Sequence, residues 1–176
     1  MTTEVRPATA DDRDAILRVV AEAFADDTRD ASEELDIVRG TWATRDGTQR
    51  IELVAVADGQ DDRDHIVGHV LAATGDLEGR PVAGVAPLCV APAHQRTGVG
   101  HALMGALFDE AARRGWPYLV LLGDPAYYAR FDFTPASRRG IYYGPAGRDS
   151  PHFLIRPVGD PSAALPRGEY RYCWEL

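Results

Sequence analysis

One short stretch of the 176-residue chain combines residue types and spacing that suit chemistry: residues 90–100, VAPAHQRTGVG. Its two glycines, Gly98 and Gly100, let the backbone approach a ligand with no Cβ in the way. The apolar pattern that follows predicts a helix over residues 98–114, and the first N–H groups of a helix have no acceptor within it. Arg96 adds a full positive charge to the partial charge of this helix terminus. These features predict a cradle for an anion such as a phosphate or pyrophosphate.

Two common phosphate-binding motifs do not fit this stretch. The Walker pattern GxxxxGK[ST] is absent, and Leu103 stands where the dinucleotide fingerprint has its third glycine. A GxG pair alone is a weak signal, because two glycines also permit a tight turn. The buried strand predicted upstream and the helix predicted downstream favour the anion cradle.

Three segments carry a resemblance to a known family. Residues 95–100, QRTGVG, resemble the Q/R-x-x-G-x-G/A acyl-CoA loop of the GNAT N-acetyltransferase superfamily. Residues 88–92, LCVAP, resemble the central strand of that family and its exit. Residues 123–133, GDPAYYARFDF, resemble a block that reads LGDPxYYxRFGF in one branch. The resemblance is specific over residues 82–135 and looser elsewhere.

The resemblance implies that acetyl-CoA binds where the strands at residues 85–90 and 118–122 splay apart. The pantetheine arm would pair with strand backbone, the loop N–H groups would hold the pyrophosphate, and Tyr128 would be the general acid. The residues implied to bind the cofactor are Leu88, Cys89, Val90, Gln95, Arg96, Thr97, Gly98, Val99, Gly100, His101 and Asp124. The chain departs from the family at Asp132, where Gly is usual, and at Asp124, where many members have Asn.

The implied reaction is attack of a neutral amine on the acetyl thioester, which transfers the acetyl group to a small amine. Tyr128 would protonate the leaving thiolate, and this transfer is mildly uphill because a thiol has a pKa of ~8.5 and a tyrosine ~10. A backbone N–H near Cys89 or Val90 is the expected donor to the oxyanion. Tyr127 is expected to pack in the core, because adjacent helical residues face different directions.

The sequence assigns no general base and no nucleophile. Asp76 and Glu78 lie near the expected cleft, and His69 lies on a strand whose inward face the sequence does not assign. Each of the three fits a structural or solvated group better. Cys89 has no His/Asp set at usable spacing, so a small core thiol is the better interpretation. His94 and His101 flank the loop, and no cluster resembles a metal site.

The elements that must position these residues follow in the order β-α-α-β-β-β-α-β-α-β-β, an α/β (α+β) mixed sheet of the GNAT type. A capping box at Thr9-x-x-Asp12 starts the first helix. The second helix ends near Gly47, and Gly115 stops the third. Asp124 and Pro125 begin a short fourth helix. The predicted strands are Glu4–Arg6, Ile51–Ala57, Ile66–Thr74, Val82–Val90, Tyr118–Leu122, Phe153–Arg156 and Glu169–Leu176, with turns at Asp58–Asp64 and Gly75–Arg80.

Composition narrows the class of protein. A chain of 176 residues with 45% hydrophobic residues fits a single domain over residues 1–176. The net charge of −8 argues against nucleic-acid or anionic-membrane partners, and no apolar run approaches the ~20 residues of a membrane span. No secretory signal is visible at the N-terminus. Cys89 and Cys173 make no disulfide framework, which suits a cytoplasmic location.

Acidic residues are concentrated in the first part of the chain. Residues 1–64 hold 8 Arg against 17 Asp and Glu, whereas residues 65–176 hold 11 Arg against 10. If the first two helices line the acceptor cleft, as the family's habit implies, the acceptor would be a cationic amine. The acids in question are Asp26, Asp27, Asp30, Glu33, Glu34 and Asp36, and a solvated outer face is the alternative.

Two other functions stay open from the sequence. One is a non-catalytic acyl-CoA-binding module, with the loop intact and the acceptor site lost. The other is acetylation of a protein or aminoacyl-tRNA amine, which the net charge of −8 disfavours for an RNA-directed enzyme. The oligomeric state is also left open, a homodimer included.

Overall fold

The structure is a computed structural model, and it describes residues 3–25, 30–44, 49–57, 65–160 and 164–176. Short 3-10 turns connect several of the elements. The strands are β1 (Thr3–Pro7), β2 (Arg50–Ala57), β3 (His65–Leu77), β4 (Arg80–Val90), β5 (Tyr118–Leu122), β6 (Thr134–Pro135), β7 (Ile141–Tyr143), β8 (Phe153–Pro157) and β9 (Gly168–Arg171). The helices are α1 (Arg13–Phe24), α2 (Ser32–Ala43), α3 (Val99–Arg113) and α4 (Pro125–Tyr128).

The strands form a mixed sheet. Among the described residues the hydrogen-bonded order is β1-β2-β3-β4-β5-β8-β6, and β9 pairs with β3 and β7. β4 and β5 are parallel, whereas β1 with β2 and β5 with β8 are antiparallel. The predicted α/β class and the predicted order through α4 are confirmed. Four short strands follow α4, in place of the two in the predicted order.

The chain divides into two compact units. The first comprises Met1–Ala43, Ile51–Ala72 and Ala86–Glu110, and the second comprises Thr44–Arg50, Ala73–Val85 and Ala111–Leu176. The core of the first is aliphatic, where α1 and α2 contribute one face of each helix: Ile16, Val19, Val20, Val38, Val54, Ile66, Leu71 and Cys89. The core of the second is rich in aromatic rings: Leu77, Val82, Tyr118, Val120, Ala136, Ile141, Phe153, Ile155, Tyr170 and Tyr172.

Two sequence predictions on the strands of the second unit are wrong in detail. The turn predicted over Gly75–Arg80 is a two-residue turn at Glu78 and Gly79, whose φ values of 48° and 78° are typical of a type I′ hairpin. Gly75 lies inside β3. A glycine is needed there because a Cβ would collide with the backbone carbonyl of Arg171.

The C-terminal strand predicted over Glu169–Leu176 is also shorter than expected. β9 ends at Arg171, and a 3-10 turn follows over Cys173–Glu175. The Glu175 carboxylate accepts a hydrogen bond from the Tyr172 N–H at 2.8 Å, which closes this turn. The helix end expected near Gly47 and the turn at Asp58–Asp64 lie outside the described residues, and α2 ends at Ala43.

The end of α3 confirms the role predicted for Gly115. Gly115 N–H donates to the Ala112 carbonyl and Trp116 N–H donates to the Ala111 carbonyl, the two bonds of a Schellman motif. Gly115 has a φ of 71°, the left-handed conformation that this motif requires.

Two glycines of this region give a matched test of backbone conformation. A Cβ would meet nothing within 4 Å at Gly105, inside α3, or at Gly115. Gly105→Ala should raise the free energy of unfolding by about 0.5–1 kcal/mol, because alanine restricts the unfolded chain and suits a helix. Gly115→Ala should lower it by about 1–2 kcal/mol, because alanine resists a positive φ. Urea denaturation measures both, and changes of the same sign would contradict the assignment.

The start of the first helix is held by a partly buried ion pair. Arg6 donates from both terminal nitrogens to the Asp12 carboxylate, at 2.8 and 3.0 Å, and the Thr9 N–H donates to the same carboxylate at 2.7 Å. The hydrogen bonds from Arg6 hold the pKa of Asp12 well below its usual range, although burial opposes them. The predicted capping box is confirmed.

Acid should therefore destabilise the protein partly through Asp12. Its folded pKa is lower than its unfolded pKa of ~3.9, so its stabilisation is complete above that value and is lost as the pH falls toward the folded pKa. Asp12→Asn should lower stability at pH 7 and flatten the decline between about pH 5 and pH 2. Asp109→Asn, at an exposed position of α3, is the control. Parallel pH profiles for Asp12→Asn and the wild type would refute the coupling.

Candidate active site

The loop that follows β4, in the first unit, is held by its own side chains. The Gln95 amide nitrogen donates to the Val90 carbonyl at 3.1 Å, and the Thr97 hydroxyl donates to the His94 carbonyl at 2.6 Å. Arg96 has a φ of 60°, although it is not a glycine, and its side chain is exposed. Left-handed non-glycine residues are costly and concentrate at functional sites. The side chains of Gln95 and Thr97 thus shape the loop.

The first turn of α3 leaves backbone donors at its open end. The Ala102 N–H donates to the Gly98 carbonyl at 3.0 Å, so the N–H groups of Val99 and Gly100 precede the first helical bond. Gly98 is exposed, with a φ of 95°, and a Cβ there would meet nothing within 4 Å. The open space over the helix start matches the predicted anion cradle. His101 is exposed in the same turn.

A glycine of β3 determines how closely α3 approaches the strand. A Cβ on Gly68 would lie 2.9 Å from the Leu103 side chain and 3.0 Å from the Val99 side chain. Val99 and Leu103 are both buried, so the first two turns of α3 are anchored there. No role for Gly68 was predicted from the sequence, although an isolated glycine inside an apolar strand is a signal of close approach.

The strand segment before the loop alternates in exposure. Leu88 and Val90 are half-buried, and Cys89 between them is buried. Burial raises the pKa of the Cys89 thiol to about 12, despite an opposing hydrogen bond from the His69 backbone. A thiol with such a pKa is not a nucleophile near neutral pH, which supports its interpretation as a core residue.

A buried polar network lies in the first unit. His69 Nε2 is 2.9 Å from Glu52 Oε1, and the Trp42 indole N–H donates to the same oxygen at 2.9 Å. His69 is fully buried, which settles the face that the sequence left unassigned. The contact with Glu52 gives His69 a structural position between β2 and α2, and its Nδ1 atom has no hydrogen-bond partner among the described residues.

Asp76 and Glu78, the two acidic residues near the expected cleft, both have structural partners in the second unit. The Asp76 carboxylate accepts from the Arg171 guanidinium at 3.2 Å, and the Glu78 carboxylate accepts from the Glu169 N–H at 3.1 Å. Both contacts tie the β3–β4 hairpin to β9. Asp76 and Glu78 therefore each have a structural role in the second unit.

Tyr128 ends α4, in the second unit, and its ring is tightly placed. The Asp124 carboxylate accepts from the Ala126 N–H at 2.9 Å, which confirms Asp124 as the helix cap. The Tyr128 ring lies on Gly123, where a Cβ would collide with it, and packs edge-on against Phe133 at 5.7 Å. No role for Gly123 was predicted from the sequence.

The bend after α4 explains the family preference for glycine at Asp132. Asp132 has a φ of 63° and a ψ of 21°, a left-handed conformation that Asp tolerates better than most residues. Tyr127 is half-buried beneath the Arg130 guanidinium at 4.5 Å, so the prediction that it packs in the core is wrong. Its neighbour Phe131 is the buried residue there.

Burial raises the pKa of the Tyr128 hydroxyl above its ordinary value, and the nearby Tyr127 adds to the rise. Tyr128 is therefore a neutral O–H group near neutral pH, with its proton available for donation. The same burial would raise the pKa of a thiol beside Tyr128. The difference between the two pKa values therefore decides how readily the proton moves from Tyr128 to sulfur.

Comparison with known proteins identifies the family. The family model for the acetyltransferase (GNAT) domain matches residues 4–136. This chain belongs to the GNAT acetyltransferase family. The uncharacterized N-acetyltransferase YhbS of Escherichia coli K12 is 32% identical to it over 117 residues, which cover 65% of this chain and 68% of YhbS.

Solved structures share the GNAT fold. The crystal structure of YhbS from Escherichia coli in complex with CoA has a TM-score of 0.76 at 23% identity, covering 97% of this chain and 89% of that one. A GNAT acetyltransferase from Brucella melitensis in complex with acetyl-CoA has a TM-score of 0.69 at 24% identity, covering 97% and 96%. The mixed sheet of this GNAT chain is therefore the family fold.

The structure describes four of the six acidic residues named above as candidates for the acceptor cleft. Asp30 accepts from the Ser32 N–H at 3.0 Å, Asp36 lies 3.7 Å from Arg39, and Glu34 is buried. Glu33 is exposed. Asp26 and Asp27 lie outside the described residues.

Two further findings concern metals and membranes. Within the described ranges, no three His, Cys, Asp or Glu side chains are grouped as a metal ion would need. No helix in the part of the chain that the structure describes is long and apolar enough to cross a membrane.

Gly98 gives a direct test of the anion cradle. Gly98→Ala should weaken CoA binding at least tenfold in calorimetry, because its Cβ would enter the open space over the helix start. Gly147→Ala is the matched control: Gly147 has a φ of 91°, and a Cβ there also meets nothing within 4 Å. Both variants should lose similar stability, and equal CoA affinities in both would refute the cradle.

Proposed function

We propose that this GNAT protein transfers an acetyl group from acetyl-CoA to a primary amine of a small acceptor. The observation that carries the proposal is the open first turn of α3, where exposed Gly98 and left-handed Arg96 precede free helical donors. Backbone donors at a helix terminus suit a pyrophosphate. Two family relatives whose structures were solved with CoA or acetyl-CoA support the choice of cofactor.

The binding residues proposed for acetyl-CoA keep the roles implied by the family. The backbone of Leu88 to Val90 would pair with the pantetheine arm, and the N–H groups from Arg96 to His101 would hold the pyrophosphate. Arg96 is exposed, so its charge is available to the phosphates. Asp124 already caps α4, which leaves one carboxylate oxygen for a ligand.

The proposed reaction forms a bond between the amine nitrogen and the acetyl carbon and breaks the carbon–sulfur bond. The amine attacks as the neutral base and gives up one proton to solvent. A backbone N–H near Cys89 or Val90 would donate to the oxyanion. Tyr128 would give its proton to the leaving sulfur, and solvent would restore it.

Release of free thiol from acetyl-CoA, measured over a panel of amines, tests the activity. Tyr128→Phe should keep CoA affinity and slow turnover ~10²–10⁴-fold, the usual effect of losing a general acid. Tyr127→Phe is the matched control, because Tyr127 is the adjacent tyrosine and stacks against Arg130. Wild-type turnover by Tyr128→Phe, under conditions where chemistry limits the rate, would show that the thiolate leaves unprotonated.

We place the activity in the cytoplasm, because both cysteines are free thiols. The wild-type assay also distinguishes the enzyme from a module that only binds acyl-CoA. CoA binding without thiol release for any amine would favour the binding module.

A further inference from the structure

The end of β5, in the second unit, carries a histidine that the reaction above does not use. The Gly123 N–H donates to the His152 carbonyl at 2.9 Å, one residue pair beyond the described register of β5 with β8, which ends at Leu122 and Phe153. Opposite residues of antiparallel strands project from the same face, with Cβ atoms about 4.5–5.5 Å apart. The His152 side chain therefore begins beside the place that a side chain on Gly123 would take.

The ring of Tyr128 fills that place. A Cβ on Gly123 would collide with the Tyr128 ring, and Phe133 packs edge-on against this ring at 5.7 Å. The Gly123 backbone thus has the proposed general acid lying on it and His152 beside it. Contacts through a single glycine bring the two side chains to the same end of β5.

A hydrogen bond to the backbone selects the tautomer of His152. Its Nδ1 atom lies 3.3 Å from the Gly123 carbonyl oxygen. A carbonyl oxygen only accepts, so Nδ1 carries the proton and donates it, and Nε2 of the neutral imidazole is left with a lone pair. The His152 N–H donates to the Ser150 hydroxyl oxygen at 3.2 Å, which holds the backbone of this residue as well. The ring is thereby fixed in the tautomer that a base requires.

Exposure and residue type favour His152 over its neighbours at this strand end. His152 is exposed, so an amine can reach its imidazole. The Asp124 carboxylate, adjacent to Gly123 in the chain, accepts from the Ala126 N–H at 2.9 Å as the cap of α4. A histidine takes up and releases a proton near neutral pH, whereas a carboxylate is a weak base there. The imidazole is therefore the better acceptor for a proton from an amine.

We propose that His152 is the general base of the acetyl transfer and forms an acid–base pair with Tyr128 at Gly123. Nε2 would accept the proton that the amine loses as its nitrogen bonds to the acetyl carbon, and Tyr128 would give its proton to sulfur as the carbon–sulfur bond breaks. Water would then take the proton from the imidazolium and restore Tyr128, so one proton leaves nitrogen and one reaches sulfur. The Gly123 carbonyl would accept from Nδ1–H throughout and stabilise the imidazolium. This assignment rests on the proposed function.

Thiol release at saturating acetyl-CoA and amine tests the base. Spermidine, 2-phenylethylamine and lysine are the probes, and the amine that the wild type acetylates fastest is used for every variant. His152→Asn keeps an amide nitrogen close to the position of Nδ1, so the bond to Gly123 is retained while the base at Nε2 is lost. Its kcat should fall ~10²–10⁴-fold, the usual effect of losing a general base. CoA affinity in calorimetry should stay that of the wild type.

Chemical rescue separates a base from a residue that only positions others. Because His152 is exposed, imidazole added at constant pH and ionic strength can reach the space that the ring leaves. It should raise the turnover of His152→Asn by about tenfold or more, a part of the lost contribution of the base, and leave that of the wild type and of Tyr128→Phe unchanged. Loss of turnover that imidazole does not restore would assign His152 to positioning and overturn the proposal.

His65→Asn is the matched control, since His65 is an exposed histidine of β3 in the first unit and has no part in the proposed reaction. It should keep the kcat and the Tm of the wild type. His152→Asn should have the same Tm, because an exposed ring buries little surface. If its Tm is lower, His152→Gln, which also lacks a base, replaces it in both assays.

The remaining outcomes separate this proposal from the proposed function. Wild-type turnover by His152→Asn and His152→Gln, with slow turnover by Tyr128→Phe, would overturn the base and leave the proposed acetyl transfer intact. A parallel loss of CoA affinity and turnover in His152→Asn would show a binding role and would also overturn the base. No thiol release by the wild type with any of the three probes would refute the proposed acetyl transfer, and the base with it.

Discussion

The first turn of α3 must stay open to solvent and yet be held rigidly, and the packing of α3 on Gly68 meets both conditions. The absent side chain at Gly68 lets Val99 and Leu103 bury themselves against β3. The helix is thereby anchored through its second turn, while the N–H groups of its first turn point away from any helical acceptor. An anchored helix terminus would be a preorganised donor set for the anion cradle proposed there, since its N–H groups would need no reorganisation.

Side chains also pack closely against strand glycines in the second unit, where these side chains are aromatic rings. Gly75 and Gly84 remove side chains from β3 and β4, and the rings of Tyr170 and Tyr172 occupy the space. The Tyr170 hydroxyl then donates to the Val82 carbonyl at 3.2 Å, which satisfies one ring. The Tyr172 ring is packed on Gly84 in the same way.

Most other charged and polar side chains near these elements have partners that explain them by structure. Glu52 joins Trp42 to buried His69, and Asp76 joins the β3–β4 hairpin to Arg171. Hydrogen bonds between buried polar groups rigidify a fold, and the residue types alone do not mark a catalytic centre.

The sequence by itself determined the local features of this protein. The capping box at Thr9, the stop at Gly115, the cap at Asp124 and the bounds of β5 were predictable, because each depends on residues adjacent in the chain. The resemblance carried by residues 88–92, 95–100 and 123–133 likewise indicated the family and the fold class.

Only the tertiary structure decided which glycines and which C-terminal residues matter. Gly68, Gly75 and Gly84 have roles that depend on side chains 31 or more residues away in the sequence, and no local pattern reports such a contact. Tyr172 lies in a segment whose alternation predicted a plain strand, whereas the strand ends before it and its ring packs against Tyr143 and Trp174. Such packing is decided only by the folded chain, because it joins Tyr172 to a residue as distant in the sequence as Tyr143.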